Sequence, residues 1–130
     1  SQHNAKESGS EIRFAASVGH YGSCSIHPAP HVFILPFLRQ DIDRPVLLLM
    51  AQNDAETPMD RCFPLVEEMK AEGKPVEWYI YKDATHAWDQ PESSGYTFIN
   101  GFGKTVAYTF NRETTLDATR RTLEFLGRFK

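Results

Sequence analysis

Apolar positions along this chain gather into a few short runs separated by long polar stretches, and one run dominates. Residues 44–54, "RPVLLLMAQND", place a proline at the entrance, then an unbroken apolar stretch, then polar residues. A run of that length without alternation predicts a strand covered on both faces, as in parallel sheets. Residues 14–22, "FAASVGHYG", are small and apolar and end in glycine, which suits a buried strand leading into a loop. Residues 75–84, "PVEWYIYKDA", are rich in β-formers and predict a third strand.

Helical periodicity appears twice. Over 57–74, "TPMDRCFPLVEEMKAEGK", Thr57 can cap, Pro58 fits a first turn, and Gly73 stops the helix. Pro64 falls inside this pattern and should kink it or move the true start to "PLVEEMKAEG". Leu65, Val66 and Met69 form the expected inward stripe. Over 111–129, "NRETTLDATRRTLEFLGRF" predicts a terminal helix with Leu116, Thr119, Leu123, Leu126 and Phe129 as its apolar face.

The remaining segments are less regular. Residues 1–11 read as a flexible or helix-ending approach. Residues 23–44 carry three prolines and no sustained period, so they predict a long surface excursion. Its centre, "HVFILPFL", is apolar enough to lie against something. Residues 96–110 alternate partly around "NGFG", which fits a hairpin, although a loop would use the same glycines.

The order is strand, long loop, strand, helix, strand, excursion, helix. Connections of that length predict α/β architecture with a parallel sheet. Three parallel strands covered by two helices leave one sheet edge and one face open, so the pattern reads as part of a fold within a single domain, 1–130.

Composition narrows the function classes. With 130 residues, 41% hydrophobic and 24% charged, the chain has the make-up of an ordinary globular domain. A formal charge of -3 with scattered Lys and Arg argues against a nucleic-acid partner. No apolar run approaches the ~20 residues of a membrane span, so no membrane is expected.

Chemistry collects at the carboxyl ends of strands in open α/β sheets. Three such ends are "HYGSC", "AQNDAETP" and "KDATHAW", and the last two supply Asp54 and His86. An acid on one strand-end loop and a histidine on the next are the last two members of the hydrolase order nucleophile, acid, histidine. Glu56 and Asp60 read as charges favouring a helix N-terminus, Asp83 as a turn residue, and Asp89 as a solvated loop charge. His20, Cys24, His27 and His31 have zinc-like spacing, but the prolines at 28 and 30 hinder a compact arrangement, so no metal is expected.

"RPVLLLMAQNDAETPMDRC" followed by "GKPVEWYIYKDATHAWD" resembles the C-terminal half of the dienelactone hydrolase family, within the α/β-hydrolase fold. "FAASVGHYGSC" resembles that family's sixth strand, and "DATRRTLEFL" its closing helix. The likeness covers nearly all of 12–128 and is weakest over 92–110. It implies the C-terminal portion of an α/β-hydrolase fold, about three parallel strands with flanking helices, incomplete without an N-terminal half. It also implies Asp54 as triad acid, His86 as general base, and hydrolysis of small esters or lactones through an acyl-enzyme without a cofactor. Tyr21 and Trp88 are the residues expected at the substrate pocket, although Trp88 can equally cover its loop.

The departure from the family pattern is equally informative. The family's nucleophile sits on G-x-C-x-G or G-x-S-x-G at a sharp strand-to-helix turn, and no such motif occurs here. "GSCS" at 22–25 lacks the second glycine and runs into "IHPAP", so Ser23, Cys24 and Ser25 are poor candidates. The expected partner is therefore the N-terminal half, on the same polypeptide or another chain. Cys24 and Cys62 follow neighbouring strand ends, and some family members look similar at both positions. A disulfide between them is the expected state and would fit a periplasmic or secreted protein, whereas two buried thiols would fit a cytoplasmic one. The alternative to an enzyme is a non-catalytic relative that self-associates or binds a partner through an open sheet edge and "HVFILPFL".

Overall fold

A computed structural model describes residues 8–9, 11–27 and 29–130. The expectation for residues 1–11 lies almost wholly outside the described residues, as does Pro28. Three strands, β1 (Ser17–His20), β4 (Val46–Ala51) and β5 (Val76–Tyr81), form a parallel sheet in the order β1-β4-β5. The register sets Ser17 beside Val46 and Val46 beside Val76, so the three strands start and stop nearly level. Their carboxyl ends open onto one rim.

Strand β4 shows why an unbroken apolar run was needed. All six of its residues are buried. Val46, Leu48 and Met50 point to one face and pack with Val66, Met69, Cys24 and Cys62. Leu47, Leu49 and Ala51 point to the other and pack with Tyr81, Trp88, Ala118 and Phe125. Alternate side chains feed opposite layers, and each layer demands an apolar residue.

Helix α1 (Phe63–Ala71) covers the first face with Val66 and Met69 buried, while Leu65 lies at the margin. Pro64 occupies its first turn, where the missing N–H costs nothing, and a short 3-10 turn at Met59–Arg61 leads into it. Gly73 ends it in the left-handed conformation, with Lys74 N donating to Met69 O.

Helix α2 (Arg112–Gly127) covers the second face, but with a rotation the sequence does not announce. Its buried residues are Thr114, Ala118 and Phe125, and Phe129 packs on the same cluster. Leu116, Leu123 and Leu126, read as its inward stripe, are 59%, 67% and 40% exposed. Polar anchors set the rotation. Asn111 accepts from Thr114 N at the helix start, Thr115 Oγ1 donates to Trp88 O at 3.1 Å, and the Tyr81 hydroxyl donates to Asp117 at 2.9 Å. The Arg121 guanidinium lies 3.5 Å above the Tyr79 ring. Small Ala118 then faces the bulk of Trp88, and the leucines are left pointing outward.

The excursion between β1 and β4 contains a two-residue ladder, β2 (Ser25–Ile26) with β3 (Leu35–Pro36). Its root is fastened by a Cys24–Cys62 disulfide, with Cα atoms 5.1 Å apart, and by Phe37 N and Leu38 N donating to Cys24 O. Within the described residues, Phe33, Ile34, Leu35 and Phe37 are exposed, so this apolar stretch does not lie against the rest of the chain as its composition predicts. After β5, strands β6 (Thr97–Ile99) and β7 (Thr105–Ala107) form the antiparallel hairpin, closed by Asn100 and Gly103. No helix of the described residues is long and apolar enough to cross a membrane.

Candidate active site

The loops leaving β4 and β5 are laced together before either functional side chain appears. Gln52 N donates to Tyr81 O at 2.9 Å, Asn53 N to Ala84 O at 3.1 Å, and Asn53 Nδ2 to Lys82 O at 3.1 Å. Asp54 comes next on one loop and His86 on the other. His86 Nδ1 lies 2.9 Å from Asp54 Oδ2.

Asp54 is 4% exposed, and its buried charge is fully answered. Oδ1 accepts from Glu56 N at 2.9 Å and from Thr57 N at 2.7 Å. Oδ2 faces the Thr57 hydroxyl at 2.7 Å as well as His86. Burial alone would push this carboxyl up, but the hydrogen bonds from His86 and Thr57 outweigh it and hold the group below its usual value. Asp54 is therefore an anion with a locked orientation.

His86 takes its tautomer from that anion. With Nδ1–H donated to Asp54, Nε2 is left as the basic nitrogen. Its ring lies between Tyr21, with centroids 4.5 Å apart, and Tyr108, at 5.5 Å. Two non-glycine residues with positive φ flank the site, Tyr21 at 38° and Ala87 at 57°. Both are held by neighbours: Tyr21 N donates to Leu49 O, and Ala87 O accepts from Gln90 N. The turn at Ala87 lets His86 face the rim while Trp88 enters the core. Backbone in this region is sparsely populated and tends to occur where a site needs it.

Tyr21 stands beside His86, its hydroxyl donating to Asp89 and accepting from Gln90. Trp88 is a correction. It is fully buried among Leu49, Tyr81, Ala118 and Phe125, so no substrate can touch it in this chain; it is core, placed there by the Ala87 turn. Asp89 is a second correction, being paired with His20 Nδ1 at 3.3 Å rather than solvated. The other His20 nitrogen lies 3.0 Å from Thr122 Oγ1. Cys24 is consumed in the disulfide and the Ser23 hydroxyl donates to Ser25 O, so "GSCS" places no nucleophile on His86. Among the described residues, no group of three or more His, Cys, Asp or Glu is gathered for a metal ion.

Three contributors escaped sequence reasoning. Thr57 does not cap a helix; its N–H donates to Asp54 Oδ1, and its hydroxyl, with one proton to give, lies 2.7 Å from both Asp54 Oδ2 and Tyr21 O. The D-x-x-T spacing is the local signal that would have found it. Glu56 does not simply favour a helix N-terminus. Its carboxylate lies 3.7 Å from His86 Nε2 and accepts from the Tyr108 hydroxyl. Burial and that carboxylate push the Tyr108 phenol well up. Tyr108 arrives from beyond the hairpin, with no local signal at all.

Comparison with known proteins gives the family and the fold. The model of the dienelactone hydrolase family matches residues 5–130. A Klebsiella pneumoniae structure carrying a dienelactone hydrolase description superposes with a TM-score of 0.62 at 20% identity, over 88% of this chain and 42% of that one. MGS-M1, an α/β hydrolase from a deep-sea metagenome of the Medee basin, superposes at 0.57 with 20% identity, over 88% of this chain and 45% of its own. No curated protein matches. The chain thus carries part of an α/β-hydrolase fold and spans less than half the length of these structures.

Proposed function

Because this chain belongs to the dienelactone hydrolase family, we propose that it supplies the acid and base of a carboxylic ester or lactone hydrolase, with the nucleophile on a segment outside these residues. The observation that carries this reading is the Asp54–His86 contact at 2.9 Å, with Asp54 saturated by backbone donors and Nε2 left as the base. In the reaction, Nε2 takes the proton of a serine hydroxyl or cysteine thiol as that atom attacks the acyl carbon. Asp54 stabilises the imidazolium, which then protonates the leaving alcohol. Water, deprotonated by the same nitrogen, releases the acid. Tyr21 flanks the ring and is the pocket wall this chain contributes. The chemistry needs no cofactor. The Cys24–Cys62 bridge favours an oxidising compartment.

The test is a protein that joins this chain to a G-x-[SC]-x-G elbow, assayed on short nitrophenyl esters and on lactones. His86→Ala should abolish turnover, and near-normal turnover in that variant rejects the assignment. A second reading, a non-catalytic module that self-associates, is favoured by the exposed Phe33, Ile34 and Leu123. A clean monomer on sizing chromatography of the isolated chain, at every concentration tried, removes it.

A further inference from the structure

Glu56 is a carboxylate that the acid–base relay does not use. It stands 3.7 Å from His86 Nε2, while Asp54 holds Nδ1 on the other side of the ring. The Tyr108 hydroxyl donates to it, and the Tyr108 ring packs beside His86. Its backbone is held too: Glu56 N donates to Asp54 Oδ1, and the adjacent Ala55 O accepts from Asn100 Nδ2 at 3.1 Å. The acid loop and the hairpin thus converge to present a charge beside the basic nitrogen. Its side chain is 35% exposed, so it meets solvent rather than the core.

Among the described residues, His86, charged only when protonated, is the only group able to carry a positive charge within ion-pair distance of Asp54 or Glu56. Arg61, on the same segment, is engaged with the Phe102 ring at 4.7 Å and with His27 O. Among the described residues, two carboxylates and one imidazole meet at this ring, and Glu56 is the charge on its Nε2 side.

We propose that Glu56, held by Tyr108, is a specificity-determining residue of this site. It favours esters that are neutral or cationic beside the scissile bond and disfavours those carrying a carboxylate there. The inference rests on His86 being the general base, because a substrate brought to Nε2 meets Glu56 at short range. Like charges a few ångströms apart in a partly desolvated site discriminate by roughly tenfold or more.

Three nitrophenyl esters of matched length decide it: the pentanoate, the hemisuccinate and a trimethylammonio-butanoate. They are assayed with the protein that joins this chain to its nucleophile. The neutral and cationic esters should exceed the hemisuccinate in kcat/KM by about tenfold or more. Glu56→Gln should narrow that ratio by about fivefold or more, and Tyr108→Phe should narrow it less. Raising salt from about 20 mM to about 0.5 M should narrow the ratio in the unaltered protein and leave the Gln variant's ratio flat. A ratio unchanged by Glu56→Gln, or an equal loss on all three esters, overturns the proposal while His86-dependent turnover still stands. Turnover that survives His86→Ala removes the hydrolase reading, and this inference with it.

Discussion

His86 and His20 each set Nδ1 against a carboxylate near the same rim, Asp54 at 2.9 Å and Asp89 at 3.3 Å, but the pairs are built differently. The Asp54 side chain is 1% exposed and fixed by two backbone N–H groups, whereas Asp89 is 26% exposed and held by the side chains of His20 and Tyr21. The second nitrogen of His20 lies 3.0 Å from Thr122 Oγ1, tying β1 to α2. The second nitrogen of His86 faces the rim, with Glu56 beyond hydrogen-bond reach. A histidine–aspartate contact is therefore not yet a base. What distinguishes one is an acid locked by main-chain donors and a nitrogen left over.

The sharpest way to break that contrast is paired deletion in a protein that joins this chain to a G-x-[SC]-x-G elbow. His86→Ala should lower kcat/KM by about 10³-fold or more. His20→Ala should lower it by less than about tenfold, the loss of a supporting contact. Equal losses would mean that both pairs serve the chemistry.

Removing the staple comes next. The Cys24–Cys62 bridge spans 38 positions, and its replacement by two alanines should cost about 3–4 kcal/mol, read as a lower urea midpoint. Hydrogen exchange should quicken at the Glu56 and Thr57 amides before it does around Thr122. Uniform quickening would show that the staple does not act through the acid loop.

Acidity separates the pairs further. Asp54 titrates below its usual 3.8 in the folded chain, so its ionised form adds stability that is complete above that value and is lost as pH falls through the folded one. Asp54→Asn should melt roughly 5 °C lower at neutral pH, and the gap should close as the pH drops below 3.8. A gap constant with pH would mean that the carboxylate charge is not what the clamp stabilises. The smallest effect is expected from Thr122→Val, about 1 kcal/mol of stability, with ester turnover unchanged.

Legibility followed the range of the interactions. Strand β4 could be read because burial on both faces forces every residue to be apolar, and the shift of α1 by Pro64 follows from one missing N–H. Asp54 and His86 could be located because strand-end loops and hydrolase order confine such groups to short stretches. Helix α2 was misjudged because Leu116, Leu123 and Leu126 form a stripe as regular as the true one. The choice between stripes is made by Trp88, Tyr79 and Tyr81, which lie far away in sequence. Trp88 was misplaced because one left-handed residue, Ala87, reverses the direction of its neighbour.

The sequence by itself determined the parallel strands, the helix that follows β4, and the candidate acid and histidine, since each depends on local periodicity or on position after a strand. Only the tertiary structure decided which carboxylate meets which nitrogen, which face of α2 turns inward, and that Glu56 and Tyr108 stand beside His86. Those outcomes depend on side chains brought together across 22 to 52 positions of chain, from the His86–Tyr108 ring contact to the Glu56–Tyr108 bond, where no local pattern reaches.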